Sequence, residues 1–134
     1  MSIVKKSYWD GIYKNNGLYE PIDPGLKCLN NYVNRQFHSF FAKTFTALCL
    51  RNKNLIEIGC ALSQWLPYFS KYFSLDVAGL DYSEIGCLKA KQIMERAGVK
   101  GEIINSDLFS PPETCLQKYS ALVSFGVVEH FVEG

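Results

Sequence analysis

The sequence predicts an α/β fold in which helices cover both faces of a parallel, Rossmann-like sheet. From residue 55 onward, short runs rich in β-branched residues alternate with stretches whose apolar residues recur at helical spacing. This alternation is typical of doubly wound sheets, because two parallel strands can be joined only through a long crossover. The composition agrees, since 48% hydrophobic and 20% charged residues are ordinary for a globular protein and 134 residues suffice for one domain.

The first fifty residues predict a helical segment. Asp23 and Pro24 suit the N-cap and first position of a helix, and apolar residues then recur at helical spacing as far as Leu48. We expect one long amphipathic helix whose apolar stripe packs into the core. The stripe consists of Leu26, Leu29, Val33, Phe37, Phe40, Phe41, Phe45 and Leu48.

A βαβ unit follows this segment. Residues 55–59 read as a strand that ends in glycine, and residues 63–73 have apolar residues at helical intervals. Residues 76–81 read as a second strand. Ser83 is a candidate N-cap for the next helix, and Gly98 ends that helix.

Two more strands complete the predicted sheet. Residues 102–105 form the third strand and residues 121–125 the fourth. Between them, residues 110–113 have the pattern of a capping box with proline at the first helical position, which predicts a short helix.

The charge balance and the cysteine content indicate which classes of partner to exclude and which cellular compartment to expect. Fourteen basic and thirteen acidic residues leave a formal charge of +1, which gives no strong attraction to nucleic acid or to an anionic membrane. The N-terminal residues lack the apolar stretch of a signal peptide, and no run approaches the length of a membrane span, so we expect a cytoplasmic protein. An odd number of cysteines without a CxxC pair predicts reduced, mostly buried thiols. They are Cys28, Cys49, Cys60, Cys87 and Cys115.

Acidic residues close three consecutive predicted strands, where a doubly wound sheet binds its ligand. Asp81 is placed to accept hydrogen bonds from both hydroxyls of a ribose, and Glu57 to face a positively charged group. Asp107 can accept from the amine of an adenine, whose ring nitrogen can meet the backbone amide of Leu108. Any one of these acids alone is more readily a loop or cap residue, but the shared register across three strands favours a site for a nucleoside without phosphates.

The loop after the first strand argues against a dinucleotide. Gly59 lets a ligand approach the backbone closely. However, Ala61 and Ser63 stand where a GxGxxG loop has its second and third glycines, and Glu57 would repel phosphates. A nicotinamide-dependent oxidoreductase is therefore disfavoured.

Residues 55–131 resemble the class I S-adenosylmethionine-dependent methyltransferases. LIEIGCALSQWLPYF, GLDYSEIGCLKAK, INSDLF and ALVSFGVVEHF resemble the four motifs of that family in the family's order. Ala61 and Ser63 depart from the usual glycines of the first motif. The resemblance implies S-adenosyl-L-methionine as the cofactor, held by Glu57, Gly59, Cys60, Ala61, Gln64, Trp65, Asp81, Tyr82, Ser83, Asp107, Leu108 and Phe125.

The resemblance also implies the reaction, which is transfer of a methyl group in line from sulfur to an acceptor, here expected to be a small molecule. The enzyme then mainly positions the acceptor and excludes water. A general base is needed only if the acceptor arrives protonated, and the candidates are His130 and Glu129 beside it. A metal is not expected, because Gly126 stands where some relatives have an additional glutamate ligand.

The resemblance divides the chain into residues 1–50, an N-terminal helical cap, and residues 51–134, a partial cofactor-binding domain. In the cap, the segment YWDGIY offers Trp9 and Tyr13 either as lid residues or as ordinary packing. The family fold has seven strands in the order 3-2-1-4-5-7-6, and the sequence ends just past the fourth, so we expect a truncated domain. Its exposed fourth strand invites self-association. The alternative function is a non-catalytic scaffold with a degenerate cofactor site.

Overall fold

The computed structural model describes residues 5–127 and residue 130. The helices are α1 (Lys6–Asn15), α2 (Tyr32–Ala47), α3 (Trp65–Phe73) and α4 (Glu84–Arg96), with single 3-10 turns at Leu29–Asn31 and Glu113–Cys115. The strands are β1 (Asn54–Ile58), β2 (Asp76–Asp81), β3 (Gly101–Asn105) and β4 (Ala121–Ser124). Within this part of the chain, no helix is long and apolar enough to cross a membrane.

The four strands form one parallel sheet in the order β3-β2-β1-β4, which confirms the predicted fold class. Each strand lies within one residue of its predicted bounds. Strand β1 lies between β2 and β4, so that Glu57 is paired with Gly79 on one side and Val123 on the other. The strand order reverses between β1 and β4, and ligands of open parallel sheets bind at such a point.

The two faces of the sheet are covered differently. Helices α2, α3 and α4 contribute to the main core cluster on one face, where Phe41 meets Phe69 with ring centroids 5.0 Å apart. The other face carries a smaller cluster, against which Leu108 and Tyr119 pack. Both residues belong to the β3–β4 connection, which returns across the sheet and, by the right-handed crossover rule, passes over this second face. The helical element of that connection is only the turn Glu113–Cys115.

The N-terminal segment departs from the predicted single long helix. Asp23 does not cap a helix, because its Oδ1 accepts a hydrogen bond from the amide of Gly25, 2.8 Å away, in a tight turn. The Nδ2 of Asn31 donates to the carbonyl oxygens of Asp23 and Leu26, both at 2.8 Å. These contacts hold the segment in a loop, so α2 begins only at Tyr32.

The apolar stripe of α2 is only partly core. Phe41 and Phe45 are buried, as expected. Leu29, Phe40 and Leu48 are 93%, 58% and 62% exposed, which contradicts their predicted burial. Phe40 is exposed because α2 presents only one face to the core. Leu29 and Leu48 lie outside α2, in the turns that precede and follow it.

The segment SPPE does not start an α-helix. Ser110 is followed by two prolines, and the residue before a proline is disfavoured in the helical region. The hydroxyl of Ser106 donates to the Ser110 carbonyl, 3.1 Å away, and Glu113–Cys115 forms only a 3-10 turn, which Leu116 leaves in an extended conformation. The predicted helix is therefore wrong in this position.

The five cysteines, all within the described residues, are unpaired. Their burial differs from the prediction, since only Cys60 and Cys87 are buried. Cys28 and Cys49 are exposed, because they lie in the turns that flank α2, and Cys115 is half-buried.

Candidate functional site

A cavity of about 400 Å³ lies at the carboxyl ends of the strands, and α1 forms its other wall. This volume falls in the usual range for a small-molecule site. Eight of the predicted site residues line it: Gly59, Ala61, Asp81, Tyr82, Asp107, Leu108, Phe125 and His130. The structure thus brings together residues that follow all four strands.

Asp81, the last residue of β2, forms part of the cavity wall and is only 4% exposed. Its Oδ2 accepts a hydrogen bond from the Ala61 amide, 3.1 Å away, and its Oδ1 from the Ser83 amide, 2.8 Å away. Burial raises the pKa of this carboxyl group, and the two amides partly offset that effect. Because a carboxylate oxygen can accept more than one hydrogen bond, both oxygens retain capacity for ligand hydroxyls.

The loop after β1 brings backbone close to the cavity. Gly59 has a φ of +77°, in the left-handed region, and a Cβ on it would lie 2.2 Å from Cγ2 of Val127. Only glycine therefore fits there without displacing the segment after β4. This explains the one glycine of the first motif that the sequence keeps.

Glu57 does not line the cavity. It is 2% exposed within β1, and its Oε2 accepts a hydrogen bond of 2.5 Å from the Ser63 hydroxyl. Burial raises its pKa to about 8, although the bond from Ser63 acts in the opposite direction. Glu57 was predicted to face a positively charged ligand, but its side chain is buried away from the cavity and bonded to Ser63.

The Ser63 side chain accounts for the departure from the glycine pattern. Its oxygen accepts hydrogen bonds from the amides of Trp65 and Leu66, both at 3.1 Å, while its hydroxyl donates to Glu57. Ser63 therefore caps the start of α3 and satisfies a buried carboxyl group at once.

Four other predicted site residues do not line the cavity. Cys60 is fully buried, and Ser83 is buried as the N-cap of α4. Trp65 stacks on Phe125 with ring centroids 4.8 Å apart, which places it in the aromatic core. Gln64 is half-buried at the start of α3, where its side chain makes no capping hydrogen bond.

The third strand contributes an exposed carboxylate and an apolar wall. Oδ1 of Asp107 accepts a hydrogen bond from the Phe109 amide, 2.9 Å away, so the side chain is held at the cavity edge. Ser106 and Phe109 also line the cavity and were missed, although their position directly after a strand was a usable signal.

Helix α1 was not predicted as a helix, yet it covers the cavity. Trp9 and Tyr13 both line it, which agrees with the lid alternative. Their rings are stacked, 5.8 Å apart, and their spacing of four residues on one helix face was the available signal. Lys5 and Lys6 also line the cavity, and no sequence pattern indicated them.

His130 contacts the lid. Its ring contacts the Trp9 ring edge-on, with ring centroids 4.6 Å apart, and so links His130 to α1. Its predicted companion Glu129 lies outside the described residues. Within the described ranges, no group of three or more His, Cys, Asp or Glu side chains is arranged to hold a metal ion.

Comparison with sequences finds no match, since neither a family model nor a curated protein matches the chain. Comparison with solved structures finds many. A structure reported for the conversion of a disulfide bond into a thioacetal group during echinomycin biosynthesis has a TM-score of 0.67 at 15% identity, covering 94% of this chain and 49% of its own.

Two further matches are methyltransferases. Magnesium protoporphyrin IX methyltransferase (ChlM) from Synechocystis PCC 6803, with bound S-adenosylmethionine, has a TM-score of 0.59 at 14% identity, covering 97% of this chain and 65% of ChlM. The plantazolicin methyltransferase BpumL, in complex with S-adenosylhomocysteine, has a TM-score of 0.52 at 28% identity, covering 75% of this chain and 42% of BpumL.

The chain therefore has the Rossmann-like fold of S-adenosylmethionine-dependent methyltransferases. It spans about half the length of these structures, between 42% and 65%.

Proposed function

We propose that this chain binds S-adenosyl-L-methionine in the cavity under α1 and supplies the cofactor-binding part of a methyltransferase. The observation that carries the proposal is the position of Asp81, a carboxylate at the end of β2 that lines the cavity beside the reversal of strand order. The fold it shares with ChlM and BpumL, both determined with the cofactor or its product, supports the same assignment.

The residues of the cavity fit such a ligand. Asp81 retains lone pairs for the ribose hydroxyls, and Asp107 with the Leu108 amide is available to an adenine. Gly59, which directly follows β1 and lies against Val127, lets the cofactor approach the backbone closely. When bound, the cofactor would supply an electrophilic methyl group.

The remaining residues act by enclosure and by positioning. Trp9 and Tyr13 cover the cavity, and a covered site excludes water from the reacting groups. His130, at the junction of lid and sheet, is our proposed general base for an acceptor that arrives protonated, with Glu129 as its companion. The proposed acceptor is a small molecule, because the cavity has a volume of only about 400 Å³.

We further propose residues 1–50 as a cap and residues 51–134 as a partial cofactor-binding domain, since α1 covers a site that the strands build. Five unpaired cysteines support a reducing, cytoplasmic location.

The second candidate function is a non-catalytic scaffold. It is favoured by Ser63 and by the buried Glu57, because the residue that should face the ligand's positive charge is turned into the core. Calorimetry separates the two functions. Titration with S-adenosylmethionine and S-adenosylhomocysteine should release heat, with NADH as the negative control. No heat and no thermal shift from either ligand would favour the scaffold.

Replacing the ribose acceptor tests the site itself. Asp81→Ala should weaken binding of S-adenosylhomocysteine by about 1.5–3 kcal/mol, the usual contribution of hydrogen bonds to a charged group. Asp76→Ala is the matched control, because Asp76 is an exposed carboxylate at the opposite end of β2. If calorimetry gives the same affinity for Asp81→Ala and Asp76→Ala, Asp81 does not bind the ligand.

A further inference from the structure

Helix α1 covers the cavity without being part of the core. None of its ten residues is buried, and it packs mainly against α4. Its apolar residues Trp9, Ile12 and Tyr13 are only half-buried, so hydrophobic burial alone does not fix its position. A small number of specific contacts must hold it over the cavity.

One of these contacts joins α1 to Asp81 in the cavity wall through the buried residue Ser83. Oδ1 of Asp10, the one carboxylate in α1, accepts a hydrogen bond of 2.5 Å from the Ser83 hydroxyl. The Ser83 oxygen also accepts from the Gly86 amide at 3.0 Å, and the Ser83 amide donates to Oδ1 of Asp81 at 2.8 Å. The N-cap of α4 thus connects the lid to the carboxylate that we assign to the ribose.

The other contacts flank this one. Tyr13 lies over Gly86, where a Cβ would stand 3.1 Å from its ring, and Lys89 donates to the carbonyl of Asn16 just beyond α1. At the other end of the helix, Trp9 meets the His130 ring. Asp10 occupies the middle of the lid, between Trp9 and Tyr13, so breaking its hydrogen bond to Ser83 would affect both aromatic residues.

We propose that Asp10 is a positioning residue that latches α1 over the cavity through Ser83, and that this latch retains the cofactor. The inference rests on the proposed function. Asp10 does not line the cavity and acts through its partner. Closure of the lid and orientation of Asp81 are coupled, because one serine bonds to both.

The experiment compares Asp10→Ala with Asp10→Asn, and Glu20→Gln serves as an exposed control outside α1 and the cavity. In the ligand-free protein, amide hydrogen exchange of residues 6–15 should be faster in Asp10→Ala than in the control. The amide oxygen of Asn can still accept from Ser83, so Asp10→Asn should restore protection. Loss of one hydrogen bond of about 1 kcal/mol corresponds to roughly fivefold faster release of S-adenosylhomocysteine.

A double substitution separates the latch from a general loss of stability. On a Ser83→Ala background, Asp10→Ala should produce no further change in the release rate, because its partner is already absent. Additive effects would overturn the latch, as would unchanged exchange of α1 in Asp10→Ala. If the wild-type protein binds no S-adenosylhomocysteine while Asp10 still protects α1, the cofactor assignment fails and the lid contact stands.

Discussion

The side chain of Glu57 shows how a single residue of a ligand-binding motif can serve the fold. It is the penultimate residue of β1, accepts a hydrogen bond from Ser63 and does not line the cavity. Burial raises its pKa to about 8, so the protonated form is favoured in the folded protein near neutral pH. A neutral acid paired with a hydroxyl is a stable core element, whereas a carboxylate there is unfavourable.

Glu57 should therefore make stability depend on pH. Its folded pKa is above its unfolded value, so its contribution is fully present below the unfolded pKa of 4.5 and is lost as the pH rises through about 8. The free energy of unfolding should decrease over this interval. In Glu57→Gln, whose side chain cannot ionise, the decrease should be smaller, as measured by urea denaturation across the interval.

The control for this prediction is Glu95→Gln, an exposed glutamate on α4, which should keep the wild-type slope. The pKa of Asp81 is also raised, and its charge contributes to the raised pKa of Glu57, so the difference between the variants reports Glu57 together with its coupling to Asp81. Parallel curves for the wild type and Glu57→Gln would show that Glu57 ionises normally.

At the scale of elements, the contact between α1 and α4 depends on a glycine. A Cβ at Gly86 would lie 2.5 Å from the Cβ of Ala61 and 3.1 Å from the Tyr13 ring. Ala61 cannot rotate away, because its side chain is a single methyl group. Gly86 is therefore a packing requirement that joins the loop after β1, the lid and α4 at one point.

Two glycine substitutions should have opposite effects. Gly86→Ala should destabilise the protein by about 1–3 kcal/mol through overpacking and should raise hydrogen exchange in α1. Gly11→Ala, within α1, has nothing within 4 Å of its new methyl group and should stabilise the helix by up to about 1 kcal/mol. Urea denaturation of both variants measures the difference. Equal stability would mean that α4 and the lid do not pack as described.

At the scale of the whole molecule, two apolar surfaces are exposed among the residues that the structure describes. Strand β4 lies at one edge of the described sheet, with Leu122 63% exposed. The outer side of α2 forms a shallow groove lined by Tyr32, Val33, Gln36, Phe37 and Phe40. An exposed strand edge offers backbone donors and acceptors to another chain, whereas a helix face offers only side chains.

We therefore expect the chain to self-associate through β4. Sedimentation velocity should show association that increases with concentration. Leu122→Lys places a charge on β4 and should reduce this association, because a lysine on an edge strand opposes pairing with a strand of another chain. Phe40→Lys, at a comparably exposed apolar residue on α2, should leave it unchanged. If Phe40→Lys reduces the association and Leu122→Lys does not, the interface lies on α2. A wild-type protein that is monomeric at all concentrations would show that neither surface mediates self-association.

The sequence by itself determined the α/β class, the four strands and the cap of α4. Strand β2 has its predicted bounds of 76–81, and Ser83 caps α4 as expected. These features follow from local patterns, because strand alternation and an N-cap involve residues only a few positions apart. The strand-end position of Asp81 follows in the same way, since it depends only on where β2 stops.

Only the tertiary structure decided the late start of α2, the burial of Glu57 away from the cavity, and the lid. Asn31 reaches back eight residues to the carbonyl of Asp23, and Asp10 meets Ser83 across 73 positions. Such contacts depend on where distant segments meet in space, and a periodic pattern records which residues are apolar without recording what they face. The resemblance indicated a lid segment, but its contacts existed only once the chain had folded.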